Sequence, residues 1–434
     1  MLLRFEVSNH RSIHEPVELS MIAIDAERLA TRGFEMLAER VLTVAGVYGP
    51  NASGKSNVLD GLAWLSAAVA RSLRTWSDII PREPFKFGSG PMTPSTYAVE
   101  MIVDGVRYVY RLEVDDSRVL FEGLYNYPQR RRRVLFERSG ENLTFRRGLR
   151  AFGGTRELLT PSTLALSAAM KFDEPEIDAF GRSLAGLQFI GRGSRAAWRR
   201  NTPGVSLGLG ATARLFDEPS LPAQATLFED PSFDLPSDRD LALALLRFAD
   251  LGIGDVQVVN DIQDDLRATP PATRAQRRQL YLMHQAEGQQ LAFDFSEESE
   301  GTQRWFALIG PTLTALRRGR ILLVDEIDAS LHPRLSARLL ELFADPETNR
   351  NGAQLIFASH DTSLLNHLNR DEVWLTQKSG TGATTLVALA EYGGDKVRRS
   401  VNLEKAYLQG RFGAVPELDQ FVLRRALGLA PGDE

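Results

Sequence analysis

The 434-residue sequence contains no cysteine. This absence excludes disulfide frameworks, cysteine-ligated zinc sites, iron–sulfur clusters and thiol nucleophiles. Only six histidines are present, so a metal centre built from histidine alone has few ligands to draw on. Lysine plus arginine number 51 and aspartate plus glutamate number 56, which gives a formal charge of −5. With so balanced a composition, any contact with nucleic acid has to come from a local basic patch.

Long apolar runs and long heptad repeats are also missing. The only apolar stretch near the N-terminus contains Arg4 and Glu6, unlike a secretory signal. The longest weakly polar stretch, Gly61–Ala70, is about half as long as a membrane span. Without sustained heptads, coiled-coil arms are not expected. We therefore expect a soluble, cytoplasmic protein that does not bind a membrane.

Hydrophobic periodicity predicts an α/β fold. Residues 41–47 are almost uniformly apolar, as in a strand buried on both faces of a mainly parallel sheet. Short alternating strands fill Thr96–Phe145, where Asp104-Gly105 is a hairpin signal, so this part is predicted to be antiparallel. After Glu300, helices and strands alternate. Leu215–Asp238 contains six acidic residues, four prolines and no basic residue, and is predicted to be a loop.

Residues 49–56 match the phosphate-binding pattern G-x-x-x-x-G-K-[ST] in full. In such a loop, backbone N–H groups converge on phosphate oxygens and the following helix adds a positive dipole. Lys55 supplies a charge to the phosphates, and the Ser56 hydroxyl can ligate Mg²⁺. The alternative, a chance glycine turn, is disfavoured by the buried strand before it and the amphipathic helix after it. The sequence therefore predicts binding of ATP and Mg²⁺.

Two further motifs follow predicted buried strands. Asp325 and Glu326 come directly after Ile321–Val324, where Asp325 is suited to hold Mg²⁺ and Glu326 to polarise the attacking water. A helix N-cap is the alternative interpretation of the two carboxylates. His360 follows the next strand, and from that sheet edge it can reach the γ-phosphate. The predicted catalytic residues are thus Glu326, His360 and Lys55.

Ser299 and Gly301 begin an amphipathic helix 26 residues before Asp325. A serine cap at a helix start is common, but a helix N-terminus is also an anion site. Together the motifs resemble the ATP-binding-cassette (ABC) ATPase heads of the SMC, RecF and OLD group. The segments that carry this resemblance are GPNASGKS, SEGTQR, ILLVDEIDASLHP and ASHD.

More narrowly, the sequence resembles a prokaryotic family that is grouped with AAA-type ATPases but built as an ABC head. The narrower resemblance rests on MLLRFEVSNHRSI, ESEGTQRWFALIGP, ETNRNGAQLIFASHDTSLL and LEKAYLQGRFGAVPEL. It covers most of the chain and is weakest over residues 191–240. Members of that family are often encoded beside a TOPRIM-type nuclease in phage-defence loci.

The resemblance implies a role for each motif residue. Asp325 and Glu326 form Walker B, Asp328 begins the D-loop and His360 is the switch histidine. Ser299 and Gly301 form the signature motif, which caps the γ-phosphate held by a second protomer. The Walker A residues implied to hold the nucleotide are Asn51, Ala52, Ser53, Gly54, Lys55, Ser56 and Asn57. Hydrolysis is thus expected to need two heads with ATP between them.

Other parts of the resemblance are less direct. Arg11 and Ser12 match an N-terminal element that lies near the nucleotide in such heads. The signature reads SEGTQ rather than the transporter form LSGGQ. The Q-loop glutamine is not evident, since the candidates are Lys171 and Gln188.

The resulting expectation is an ABC/SMC-like ATPase head with a mainly parallel core sheet, an antiparallel β-subdomain and an inserted helical region. The predicted parts are an N-terminal ATPase lobe (1–94), the β-subdomain (95–150), a helical and variable insert (151–279), a C-terminal ATPase lobe (280–390) and a tail (391–434).

Pro128–Arg156 contains nine arginines and two glutamates, beginning with Arg130, Arg131, Arg132 and Arg133. Contact with the DNA backbone is one interpretation, and a solvated hairpin or a docking surface is the other.

The favoured function is a nucleotide-driven dimerising ATPase switch that controls an effector, such as a TOPRIM-type nuclease, in phage defence. A RecF-like DNA-binding repair or recombination ATPase is the alternative. A transporter subunit is disfavoured because Ser299 lies 243 positions after Ser56. A binding-only protein is disfavoured by the intact Lys55, Asp325 and Glu326.

Overall fold

The computed structural model describes residues 1–25, 28–146, 152–172, 174–191, 204–217, 237–249, 252–261, 277–392 and 402–414. Most of the acidic segment 215–238 and parts of the predicted insert and tail therefore lie outside the described residues. The α-helices are α1 (Lys55–Thr75), α2 (Phe152–Leu158), α3 (Ala165–Ala169), α4 (Pro175–Ala185), α5 (Gly204–Ala213), α6 (Asp238–Ala249), α7 (Glu300–Arg318), α8 (Pro333–Ala344) and α9 (Leu403–Leu408).

The strands fall into four sheets. In chain order they are β1 (Leu2–Ser8), β2 (Val17–Ser20), β3 (Thr31–Gly33), β4 (Arg40–Leu42), β5 (Val44–Tyr48), β6 (Ser95–Val103), β7 (Val106–Val114), β8 (Val119–Asn126), β9 (Arg133–Ser139), β10 (Asn142–Phe145), β11 (Gln188–Ile190), β12 (Ile253–Asp261), β13 (Arg277–Ala286), β14 (Gln289–Asp294), β15 (Ile321–Val324), β16 (Gln354–Ala358), β17 (Val373–Lys378) and β18 (Thr384–Ala388).

The central sheet has the order β11-β15-β16-β5-β17-β18, with β18 alone antiparallel to its neighbour. Apolar clusters cover both of its faces. On β5, Ala45 and Val47 pack into the cluster that contains α1, whereas Val44 and Tyr48 pack into the cluster that contains α7 and α8. This burial on both faces explains why β5 and β15 are apolar throughout.

An antiparallel sheet of seven strands, in the order β10-β9-β8-β7-β6-β1-β2, lies on the α1 side. Its β6–β7 turn is the expected two-residue hairpin, with positive φ at both Asp104 and Gly105. Because β1 and β2 belong to this sheet, it extends across the predicted boundary between residues 94 and 95. The ring of Trp64 on α1 stacks on Tyr97 of β6, with centroids 4.4 Å apart, and joins the two layers.

The predicted α/β class, with a mainly parallel core and a separate antiparallel sheet, is confirmed. Two local expectations need correction. The single strand predicted over 41–47 is divided at Thr43, whose N–H and hydroxyl both donate to Ala30 O at 3.1 Å. β4 therefore pairs with β3, while β5 enters the central sheet. The predicted helical insert also contains β11, a strand of the central sheet, and β12.

Among the described residues, none of the helices combines the length and apolar character that crossing a bilayer requires.

Candidate nucleotide-binding site

The parallel strands end at one edge of the central sheet and bring the predicted motifs together there. β5 leads into Gly49, β15 into Asp325 and β16 into Ser359 and His360. β11 leads into Gly191, where a Cβ would lie only 2.5 Å from the Cβ of Asp325. This is the edge at which open α/β sheets bind their ligands.

The loop from Gly49 to Gly54 depends on left-handed backbone. The φ angles are +149° at Gly49, +62° at Ala52 and +108° at Gly54. A Cβ at Gly54 would also lie 2.1 Å from Thr384 Oγ1, so both the backbone conformation and the lack of space exclude a side chain at this position. Ser53 is fixed by its hydroxyl, which lies 2.6 Å from Thr376 Oγ1 on β17. The loop therefore has the tight turns that expose backbone N–H groups to a phosphate.

Lys55 begins α1 and folds over the loop. Its Nζ donates to Gly49 O at 2.8 Å and to Pro50 O at 3.1 Å. Burial lowers the pKa of Lys55 from 10.5 to about 8, while the charges of Asp325, Asp328 and Glu326 act in the opposite direction. The ammonium is thus held among acceptors at the place where phosphate oxygens would arrive.

Ser56 and Asp325 form the arrangement expected for Mg²⁺. The Ser56 hydroxyl donates to Asp325 Oδ1 at 2.9 Å, although the two residues are 269 positions apart. Burial raises the pKa of Asp325, and the bond from Ser56 lowers it. The described residues include no group of three His, Asp or Glu side chains that could hold a metal. A hydroxyl and a carboxylate oxygen are donors of the kind that Mg²⁺ prefers, so Ser56 and Asp325 fit a Mg²⁺ ion that takes its other ligands from phosphate and water.

Glu326 follows Asp325 in a left-handed conformation, with φ +53°, and its side chain is exposed. Arg304 of α7 fixes the backbone here, since its Nη2 donates to Asp325 O at 3.0 Å and to Glu326 O at 3.2 Å. This arginine lies within the SEGTQR segment, yet sequence reasoning assigned it no role.

The D-loop and the switch segment are tied together within one chain. Asp328 Oδ1 accepts from Ser359 Oγ at 2.7 Å and from the His360 backbone N–H at 3.2 Å. The His360 side chain itself is exposed. It therefore lies at the predicted sheet edge and remains open to solvent.

Of the two signature residues, Ser299 is exposed and Gly301 is half-buried. Ser299 caps α7 by accepting from Thr302 N at 3.1 Å. A Cβ at Gly301 would lie 2.9 Å from Ser330 O, so the helix start packs closely on the D-loop turn. Within the described part of the chain, neither Ser299 nor Gly301 hydrogen-bonds to the Walker A loop of its own protomer.

The N-terminal element lies beside the Walker A helix. Arg11 Nε is 3.1 Å from carboxylate oxygens of both Asp60 and Glu83, and its Nη1 donates to Asn57 Oδ1 at 3.4 Å. Asn57 Nδ2 in turn donates to Ser12 Oγ at 2.5 Å.

Ser12 is joined to the C-terminal part of the sheet by Thr384 of β18. The Thr384 hydroxyl lies 2.6 Å from Ser12 Oγ and donates to Ser53 O at 2.8 Å. Thr376 and Thr384 could not be identified from the sequence, because they belong to no motif and approach the loop only through sheet pairing.

The two Q-loop candidates differ in position and burial. Gln188 begins β11, three positions before Gly191, and its Oε1 is buried without a hydrogen-bond partner among the described residues. Lys171 lies just after α3 and is exposed. Asn51 and Ala52 are exposed at the tip of the Walker A loop.

The four arginines at positions 130–133 are exposed, but two of them already have partners. Arg132 lies over the Tyr125 ring at 4.2 Å and pairs with Glu137 at 3.4 Å. Arg133 pairs with Glu176 at 3.4 Å. Arg138, counted in the same basic run, is buried and donates to four backbone carbonyls, so the exposed patch is smaller than the count indicates.

Comparison with solved structures returns SMC head domains. One is an SMC head bound to the C-terminal winged-helix domain of ScpA, at 14% identity and TM-score 0.45, covering 90% of this chain and 99% of that one. The SMC head from Thermotoga maritima has 11% identity and TM-score 0.37, covering 89% and 98%. A head with an extended coiled coil, bound to the C-terminal domain of ScpA from Pyrococcus furiosus, has 12% identity and TM-score 0.43, covering 90% and 97%.

No curated protein matches the chain significantly. A family match covers residues 44–150 and 188–366, more than half of the sequence, and includes both β5 and the Asp325 motif. The matching family, AAA_21, is described as an AAA domain with a proposed link to the AbiEii toxin of a type IV TA system. The chain therefore belongs to the AAA_21 family of AAA domains.

Proposed function

We propose that this protein binds and hydrolyses ATP with Mg²⁺ in the cytoplasm, and that ATP joins two copies into a dimer that controls a partner protein. The observation that carries the ATPase proposal is the 2.9 Å bond between Ser56 and Asp325 beside the Lys55 ammonium. Family membership supports the same conclusion.

The side chains divide the chemistry among them. Lys55 and the backbone N–H groups of the loop bind phosphate oxygens, and Ser56 and Asp325 would hold Mg²⁺, which neutralises charge on the phosphates. Glu326 accepts a proton from the attacking water, and His360 hydrogen-bonds to the γ-phosphate from the neighbouring strand. Arg304 acts as a positioning residue because it fixes the backbone that presents Glu326.

A dimer is supported by the exposure of Ser299. Ser299 and the adjoining Glu300 are exposed, and in the described residues Ser299 forms no hydrogen bond to the Walker A loop of the same chain. The first N–H groups of a helix bind anions well, so they can cap a γ-phosphate that is held by a second copy. The site for hydrolysis would then consist of residues from both chains.

The variant Glu326→Gln tests both parts of this proposal. It removes the proton acceptor but keeps the shape, so we expect hydrolysis to fall by about 10²–10⁴-fold while ATP binding persists. The ATP-loaded variant is expected to elute as a dimer in size-exclusion chromatography with light scattering.

Glu347→Gln is the matched control, because Glu347 is 83% exposed and belongs to a surface pair with Arg350. If the Glu326→Gln variant hydrolysed ATP at the wild-type rate, this would show that the general base is another residue. A strictly monomeric ATP-loaded form would contradict the dimer and leave the ATPase assignment standing.

The partner is proposed to be a nuclease of TOPRIM type acting in phage defence, which rests on the sequence resemblance. A nuclease encoded in a neighbouring gene should co-purify with the Glu326→Gln protein in ATP more than in ADP. Equal or absent retention in both nucleotides would contradict this role.

Direct DNA binding is the second candidate, supported by the exposed guanidinium groups of Arg130 and Arg131. It predicts binding to duplex DNA that weakens steeply with salt and is lost when Arg130–Arg133 are replaced by glutamine.

A further inference from the structure

Four arginines line a second cavity, on the opposite edge of the central sheet from the nucleotide site. The cavity has a volume of about 400 Å³ and lies between the β3–β4 hairpin, the C-terminal end of α8 and the loop before β16. The residues around it precede β5 and β16, whereas the Walker motifs follow their strands. The arginines are Arg28, Arg32, Arg40 and Arg350.

Arginine is the charged residue type in the described lining of the cavity. Arg28 is paired with Asp371 and Glu372, and Arg350 with Glu347, so the excess positive charge comes from Arg32 and Arg40. No aspartate or glutamate is among the described residues that line it. Arg32 and Arg40 form no ion pair within the described chain, and Arg40 is oriented by donating to Thr31 Oγ1 and O at 2.8 and 2.9 Å. The field of Arg32 extends to the buried Met1 amine, whose pKa is lowered to about 5 by burial and then by this guanidinium.

Arg28 contributes donors that the protein leaves unused. Its side chain is 11% exposed, and its Nη2 donates to Asp371 Oδ1 at 2.6 Å. Its Nε and Nη1 are buried and have no hydrogen-bond partner in the described residues. Buried donors without acceptors are uncommon and unfavourable, so an anionic acceptor in the cavity would stabilise this group.

The walls also fit a small organic molecule. A Cβ at Gly352 would lie 3.0 Å from Arg32 Cδ, and one at Gly33 would lie 3.2 Å from Arg40 Nη1, so both glycines make room for an arginine. Leu29, which lines the cavity and is 70% exposed, provides apolar surface. A volume of about 400 Å³ is within the range of small-molecule sites.

We propose that this cavity binds a small organic anion, about the size of a mononucleotide, that carries at least two phosphate or carboxylate groups. Guanidinium groups bind both chemistries through paired N–H donors, and several of them around one cavity select for more than one anionic group. The site is separate from the Walker A loop and does not depend on ATP hydrolysis.

Calorimetric titration of the full chain tests the proposal, with tripolyphosphate and citrate as probes. The Lys55→Ala background weakens phosphate binding at the Walker A loop, so the remaining binding reports the second cavity. We expect one probe per chain. Binding of tripolyphosphate alone identifies a phosphate ligand, and binding of citrate identifies a carboxylate ligand.

In that background, Arg32→Gln and Arg350→Glu are each expected to weaken binding at least about tenfold, because each removes charge-assisted hydrogen bonds. Arg350 is 76% exposed, so its variant keeps the fold and decides the outcome if Arg32→Gln is unstable. Arg111→Gln, an exposed arginine on β7, is the matched control and should bind as before. Absence of binding up to about 1 mM, or equal weakening by the Arg111 variant, would overturn the proposal.

Discussion

Burial and nearby carboxylates shift the pKa of the Lys55 ammonium in opposite directions. Burial is the larger effect and lowers the pKa from 10.5 to about 8 in the nucleotide-free chain. Phosphate charges favour the protonated form, so the pKa rises when nucleotide binds. Above pH 8, nucleotide binding is therefore coupled to the uptake of a proton by Lys55.

The first prediction follows from this uptake. We expect the affinity for ATP to be constant below pH 8 and to fall by about tenfold per pH unit above it, measured by titration with a fluorescent ATP analogue. Lys55→Arg stays charged throughout this range and should show little pH dependence. A wild-type affinity that is flat to about pH 9.5 would show that the lysine keeps its proton in the free chain.

The same pKa affects folding in a definite direction. Because the folded-state pKa is lower than the unfolded value of 10.5, the unfolded chain binds more protons between pH 8 and 10.5. The contribution of Lys55 to the free energy of unfolding therefore rises with pH across that window. Nucleotide binding and intrinsic stability should thus change in opposite directions with pH.

At the scale of elements, β18 fixes the Walker A loop from the side. The Thr384 hydroxyl donates to Ser53 O and lies against Ser12 Oγ, so one residue of β18 contacts both the loop and the N-terminal element. Thr384 N also donates to Ser12 O at 2.7 Å. The loop conformation therefore depends on a strand more than 320 residues away in sequence.

Thr384→Val tests this dependence, since it keeps the shape but removes the hydroxyl. We expect the free energy of unfolding, measured with urea, to fall by about 1–3 kcal/mol because the buried Ser53 carbonyl loses its donor. ATP affinity should fall as well. Thr385→Val, an exposed neighbour on the same strand, should change stability by no more than about 0.5 kcal/mol. Equal stability of the two variants would contradict the assigned role.

Elements with clear periodicity were predictable from sequence. Strand β15 and hairpin β6–β7 were found where expected because local pattern alone determines them. The division of 41–47 at Thr43 depends on a hydrogen bond to Ala30, and the placement of β11 depends on pairing with β15. Hydrophobic periodicity within a segment carries no information about such partners.

The candidate site shows the same distinction at its residues. Lys55, Ser56 and Asp325 belong to motifs whose chemistry is local, so their roles could be predicted from sequence and remain predictions. Arg304 and Thr384 act through backbone carbonyls, so their identity leaves little trace in a motif.

At the scale of the whole molecule, a shared site predicts complementation between two inactive variants. Lys55→Met disables the Walker A loop, and Ser299→Glu places a negative charge where the signature would meet the γ-phosphate. In a mixed dimer, one of the two sites keeps both intact halves. We expect each variant alone to be inactive and an equal mixture to recover up to about one quarter of the wild-type ATPase rate.

Phosphate release, measured against total protein, is the readout for this mixture. A full rate for Ser299→Glu alone would show that the signature serine does not contact phosphate. Failure of the mixture to regain activity, with both variants folded, would show that hydrolysis does not use residues from two chains.

The wide separation of Ser56 from Asp325 has a consequence for biosynthesis. Ser56 and Asp325, which are proposed to hold Mg²⁺, are 269 positions apart, so the glycine loop of a nascent chain is made long before the matching carboxylate. At ~5–20 residues per second, this interval is about 13–54 s. A ribosome-bound chain that has not yet reached Asp325 therefore lacks one of the two residues proposed to hold Mg²⁺.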